Sequence, residues 1–215
     1  MKTKSHSSGY HRKIIDNINY YLRDFKYPKI LEFGVRKGIS TKYFLELCTK
    51  NKGKLISVDI INYKHLFKSK CWTFIHSSDD NYQYVKKFLP KKLDIIHLDS
   101  LHEAKHVAKI IYTYYPLLKP GGIFLIDDIS CLPYLKRTKK NSFGNEIANQ
   151  ETFEIIQEIY FFNKDNIDLS FSFTNSGLAI IKKLNYRKLN PHKKLPFRKY
   201  SILNLLRKLK KILIF

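Results

Sequence analysis

Short apolar runs that end in acidic or glycine-bearing turns, separated by amphipathic stretches, are the feature that most restricts how this chain can fold. Lys29–Phe33 runs into Gly34, Lys54–Asp59 closes on its own aspartate, and Leu93–Leu98 runs into Asp99. Residues 123–126 run into Asp127-Asp128, and a further run spans 72–75. Between these runs, apolar residues recur at helical spacing over 14–25, 40–48, 82–89, 103–115 and 146–162, with Ser40 placed to cap the second helix. Lys119-Pro120-Gly121-Gly122 reads as a turn and 130–145 as a polar loop. Strands alternating with helices imply a mostly parallel sheet covered on both faces. Near the end, 167–173 and 178–181 flank Asn175-Ser176-Gly177, and so tight a turn sets one strand antiparallel. The expected architecture is an α/β, doubly wound, mostly parallel seven-stranded sheet with one antiparallel strand near the C-terminal end. It occupies 1–185, and a basic linker and amphipathic helix follow over 186–215.

The chain has 215 residues, enough for one such domain with a sizeable core and an appendage. Its 40 Lys and Arg against 18 Asp and Glu give a formal charge of +22, which asks for an anionic partner or surface. Twelve of the basic residues and no acidic one fall in 182–215. The rest of the excess is spread over a Lys-, Asn-, Ile- and Tyr-rich body, a bias that an AT-rich genome also produces. Three cysteines, Cys48, Cys71 and Cys131, have no metal-ligand spacing and form no disulfide framework, which fits a reducing cytoplasm. Residues 1–13 lack the apolar core of a signal peptide, and no segment reaches spanning length.

In a doubly wound sheet, ligands bind beyond the carboxyl ends of the strands, where the polar residues of this chain cluster. Glu32-Phe33-Gly34-Val35-Arg36-Lys37-Gly38-Ile39-Ser40 is a strand-to-helix turn whose glycines let the backbone approach a ligand. It lacks the three-glycine spacing of a dinucleotide site, and a carboxylate at Glu32 repels phosphate. That carboxylate suits the cationic amino-acid end of S-adenosylmethionine; the plain alternative is an ordinary glycine turn. Asp59 closes the next strand, where an acid can accept hydrogen bonds from both hydroxyls of a ribose, or simply end a strand in solvent.

Three segments together go further: Leu98-Asp99-Ser100-Leu101-His102-Glu103, then Leu117-Leu118-Lys119-Pro120-Gly121-Gly122, then Asp127-Asp128. With the run from Glu32 to Thr41 and with Ser176-Gly177-Leu178-Ala179-Ile180, they resemble the class I methyltransferases, a Rossmann-like family. Within it they resemble the group of macrocin O-methyltransferase-like and cephalosporin-hydroxylase-like proteins, over about 29–181. The resemblance implies S-adenosylmethionine as cofactor and a divalent metal, usually Mg²⁺, at Asp99, Asp127 and Asp128. The chemistry agrees. These acids end two strands expected to be neighbours, and hard oxygen ligands suit Mg²⁺. The alternative is that Asp128 caps the next segment and Asp99 faces solvent. The cofactor-binding set is Glu32, Gly34, Gly38, Ser40, Asp59, Ser78, Asp79 and Asp99. The chain departs from the group in two places: His76-Ser77-Ser78-Asp79-Asp80 stands where relatives carry Gly-Asp-Ser for adenine, so that Ser78 or Asp79 substitutes, and Ser100 stands where they carry glycine.

His102 and Asp99 are the catalytic candidates. With an ordinary pKa near ~6.5, His102 can accept a substrate proton; it can equally cap a helix or touch the cofactor. His76, His97 and His106 read as packing or surface residues. The expected reaction is metal-assisted O-methylation of a sugar or other small hydroxylated acceptor. An RNA methyltransferase is the alternative that charge alone favours, and a non-catalytic binding protein on the same fold is another. In the tail, Ser201 can cap a helix in which Ile202, Leu203, Leu205, Leu206, Leu209, Ile212 and Leu213 form an apolar stripe, with Arg207, Lys208, Lys210 and Lys211 mostly off it. Such a helix can lie on the inner face of an anionic membrane, dock on the core, join an oligomer or, less readily, bind nucleic acid.

Overall fold

The computed structural model describes residues 9–129, 143–196 and 201–214. The loop expected over 130–145 lies mostly outside the described residues, as does Cys131; Cys48 and Cys71 are free thiols.

In chain order the elements are α1 (Gly9–Tyr21), β1 (Lys29–Phe33), α2 (Ile39–Lys50), β2 (Lys54–Asp59), β3 (Trp72–His76), α3 (Tyr82–Val85), β4 (Leu93–Leu98), α4 (Ala104–Tyr114), β5 (Leu118–Asp127), α5 (Phe143–Phe161), β6 (Ile167–Ser172), β7 (Leu178–Lys183) and α6 (Ile202–Ile214). The seven strands form one sheet in the order β3-β2-β1-β4-β5-β7-β6. Only β7 runs against its neighbours, pairing antiparallel with both β5 and β6. The sheet is thus the expected one, with its single reversed strand.

Side chains that alternate along each strand sort into two apolar layers. Leu31, Phe33, Ile56, Val58, Ile96 and Phe124 face α3, α4 and α5, where Val85, Val107, Ile111 and Ile156 meet them. Ile30, Leu55, Ile95, Ile123 and Leu125 face the opposite way, onto Ile14 of α1 and Phe44, Leu45 and Cys48 of α2. Both faces being covered, β1, β4 and β5 read as nearly unbroken apolar runs. The exceptions on the α1–α2 side, Glu32, His97 and Asp127, are each wholly buried near the carboxyl end of a strand. The chain reverses direction across the sheet between β1 and β4, and the crevice opens there.

The run Lys119-Pro120-Gly121-Gly122, expected as a turn, belongs to β5. Pairing starts at Leu93↔Leu118 and resumes at Ile95↔Ile123, and the extra residues form an irregularity in the strand. Helix α1 starts earlier than the apolar spacing indicates, which places Lys13 inside it. Residues 186–196 run along α4 and α5. Asn190 exchanges hydrogen bonds with Asn163, the Tyr112 hydroxyl accepts from the His192 amide, and the Leu195 amide donates to Glu158.

Candidate active site

A crevice of about 520 Å³ opens at the carboxyl end of the sheet, lined by Gly34, Arg36, Ser40, Asp99, Ser100, His102 and Asp128, with Val35, Lys37 and Ile39 between. Gly34 sets its floor. At φ 90° its backbone passes so close to β4 that an added Cβ would stand 2.0 Å from the Asp99 carbonyl oxygen, so no other residue fits. Gly38 is left-handed at φ 70° and forms the N-cap of α2. Ser40, expected as that cap, is inside the helix instead. Its hydroxyl donates to Glu32 Oε1 at 2.6 Å, because the left-handed glycine turns the chain into the helix before Ser40 is reached.

Glu32 therefore lies beneath the crevice rather than in its lining. Its carboxylate also accepts from Thr41 Oγ1 at 2.9 Å and Ser57 Oγ at 2.7 Å. Burial raises its pKa to about 7, against the opposite pull of the three hydroxyls. The expected direct contact with a cationic ligand is replaced by a buried knot that binds β1, β2 and the first turn of α2 together. Asp59 performs a related task in the open. Its Oδ2 accepts from the amides of Val35, at 2.7 Å, and Arg36, at 3.3 Å, and its Oδ1 accepts from that of Ile61 at 2.9 Å.

Asp79 and Ser78 part company. The Ser78 hydroxyl donates to Asp80 at 2.6 Å. Asp79 is buried, and its Oδ2 accepts from Ser100 Oγ at 2.5 Å and lies 2.9 Å from His106 Nε2. Ser100 thus ties the turn after β4 to the turn after β3. His106, read from the sequence as packing or surface, is its second anchor.

The three acids expected to share one metal fall into two groups that meet at Asp99. In the inner group, Asp99, Asp127 and His97 bring ligand atoms within 4.8 Å of one another; in the outer one, Asp99, Asp128 and His102 do the same. Consecutive residues at a strand end point to opposite sides, and Asp128 is further turned by a left-handed backbone, φ 56°. Asp127 is held inward by the Lys13 ammonium, a buried ion pair across the α1–β5 interface, and by the Asp128 amide. Lys13 also donates to Ser176 Oγ at 2.8 Å. Burial raises the Asp127 pKa and the neighbouring Asp99 charge adds to it, with Lys13 pulling the other way.

His97 has no hydrogen-bond partner for either ring nitrogen among the described residues; it stands edge-on to Phe44, and burial pushes its pKa down to about 4. His102 Nε2 lies 3.5 Å from Asp99 Oδ1 and 3.3 Å from Asp128 Oδ2. Burial opposes its protonation, but the Asp99 hydrogen bond and the charges of Asp128, Asp99 and Asp127 outweigh it and raise the pKa.

The sequence reading missed Lys13 and His97. A lysine on an amphipathic helix reads as solvated, and its only trace is its place one residue before the buried Ile14. His97 left more of a signal, since a polar residue two positions before Asp99 in an apolar strand shares its face.

Residues 31–129 match the profile of a methyltransferase domain family. No curated protein matches the sequence. Among solved structures the fold is similar to the MycE methyltransferase of the mycinamycin biosynthetic pathway, in complex with Mg and S-adenosylhomocysteine. The two are 17% identical with a TM-score of 0.62, over 85% of this chain and 51% of that one. A Podospora anserina methyltransferase bound to S-adenosylhomocysteine is 19% identical with a TM-score of 0.62, over 82% and 78%. A Staphylococcus aureus protein assigned as a caffeoyl-CoA O-methyltransferase is 19% identical with a TM-score of 0.58, over 81% and 82%. The chain spans about half the length of MycE. Residues 31–129 thus match a methyltransferase domain, and the fold of the chain is that of solved methyltransferases.

Proposed function

We propose that the chain transfers a methyl group from S-adenosylmethionine to a hydroxyl of a sugar or other small hydroxylated acceptor, with a divalent cation, Mg²⁺ first among candidates, at the acid cluster. The observation that carries this reading is His102 in the lining of the crevice, its Nε2 between Asp99 and Asp128. A base so placed receives a hydroxyl proton, and the two carboxylates stabilise the imidazolium that results.

The crevice has the volume of an ordinary small-ligand site. The first turn of α2 has no side-chain cap, so its amides are offered to the carboxylate of the donor's amino-acid end. In this reading Asp59 serves the ribose and Ser78 or Asp79 the adenine, with Gly34, Gly38, Ser40 and Asp99 completing the cofactor set. Glu32 acts through Ser40 and Thr41 as a positioning residue. The donor set fits a cation: Asp127 Oδ2 is a buried carboxylate oxygen without a partner among the described residues, and Asp99 and Asp128 bring further oxygens. Asp99, common to both groups, would hold it with Asp127 on the inner side or Asp128 on the outer, and the neutral His97 lies on the inner side. When bound, it supplies Lewis acidity that eases loss of the acceptor's proton. His102 takes that proton at Nε2, and the acceptor oxygen attacks the methyl carbon as the carbon–sulfur bond breaks and S-adenosylhomocysteine leaves. Alignment of the two reactants supplies much of the acceleration.

Calorimetric titration with S-adenosylhomocysteine, with and without Mg²⁺, is the first test, followed by transfer of labelled methyl to hydroxylated acceptors and to RNA. Saturable binding, weakened about tenfold or more in Asp59→Ala, is expected, because one hydrogen-bonded carboxylate accounts for that much. Absence of binding in either condition sinks the reading. Transfer to RNA and not to small acceptors overturns the acceptor assignment.

A further inference from the structure

Helix α6 is left over from the site and from the core. Ser201 caps it, accepting at Oγ from the Asn204 amide at 3.2 Å. At about 100° per residue, Ile202, Leu205, Leu206, Leu209, Ile212 and Leu213 share an arc of about 120°, and Lys208 and Lys210 flank it about 100° to either side of its centre. Arg207 and Lys211 take the opposite face. These apolar side chains do not pack on the body: the best covered, Leu209, is 48% exposed, and Leu213 is 86% exposed. Six large aliphatic side chains in water on one face cost free energy unless something covers them.

The charge around the stripe selects the cover. From 182 to the end there are twelve Lys or Arg and no Asp or Glu, more than half of the formal charge of +22. A second copy of this chain would bring the same cations face to face, and like charges at an interface repel. An apolar stripe with a lysine on either flank matches a bilayer instead. The stripe enters the acyl boundary, and the lysine stems reach back to anionic headgroups. Among the described residues no helix is long and apolar enough to cross a membrane, so the contact lies in the plane of the surface.

We propose that α6 is a membrane-surface helix that seats the enzyme on anionic lipid headgroups, through the stripe Ile202–Leu213 and the lysines beside it. The test is sedimentation of the full chain with vesicles of about 30% phosphatidylglycerol in phosphatidylcholine, beside phosphatidylcholine alone. Binding to the anionic vesicles is expected to be about tenfold or more tighter, and to fall as salt shortens the Debye length. Leu205→Gln/Leu209→Gln keeps every charge and alters only exposed side chains. It should lose about tenfold in vesicle binding, with thermal midpoint and S-adenosylhomocysteine affinity unchanged. The proposal falls if this variant binds like the wild type, since the charge of the body would then suffice. It falls equally if the wild type ignores the vesicles, including the case in which it forms a dimer that the same variant dissolves. Neither result touches the methyltransferase reading, which the nucleoside titration reports separately.

Discussion

Glu32 carries a pH signature of its own. Its folded-state pKa is about 7 against an ordinary 4.5, because burial favours the neutral acid. A carboxyl raised in this way contributes stability that is fully present below the unfolded value and is lost as pH rises through the folded one. Glu32→Gln is neutral throughout. Relative to wild type it should therefore gain on the order of 3 kcal/mol between about pH 4.5 and pH 8, read as urea unfolding free energy at both ends. An unchanged difference would mean that the carboxylate stays charged in its knot of hydroxyls. The sequence offered Glu32 as a ligand for a cation because it cannot say that Ser40, Thr41 and Ser57 will close over it. At His102 the expectation concerns rate. His102→Gln should lower kcat by about 10²–10⁴ while leaving S-adenosylhomocysteine affinity within about twofold. A parallel loss of affinity would make the residue a cofactor contact instead of a base.

Among the elements, the central strands were the most legible. Lys29–Phe33, Lys54–Asp59 and Leu93–Leu98 are runs whose apolar residues have nowhere to go but inside a sheet covered on both faces. The start of β5 was not legible, because Lys-Pro-Gly-Gly carries every mark of a turn and is drawn into the sheet only by the pairing of Leu93 with Leu118. Helix α1 was half legible: its apolar stripe is plain, but the use of Lys13 depends on Asp127, which only the tertiary fold brings near. That pair ties α1 to the candidate site. Removing the ammonium strands a buried carboxylate, so Lys13→Met should cost about 3–5 kcal/mol in urea unfolding. Asp127→Asn in the same background should then cost far less than it does alone, a coupling that a double-mutant cycle measures directly. Additive losses would show that α1 and β5 meet without depending on each other.

Across the whole molecule, the site is assembled from distant parts of the chain. Gly34 and Ser40 come from the first crossover, Asp99 and His102 from the middle, and Asp128 from the end of β5. The sequence named all of these because each sits just past a strand, where a doubly wound sheet keeps its ligands. What it could not give was their division into an inner and an outer group, which depends on one left-handed residue, Asp128, and on a lysine from the far end of the chain. The span of those contacts has a consequence for how the protein comes into being. Lys13 meets Asp127 across 114 residues and Ser176 across 163, and β5 gains its outer neighbour only when β7 pairs with it. A nascent chain that has just exposed Asp128 to solvent holds every acid of the centre, yet its oldest helix still waits for a hydroxyl that has not been translated. The inner acid group is therefore completed late in synthesis, when the closing hairpin brings Ser176 to Lys13.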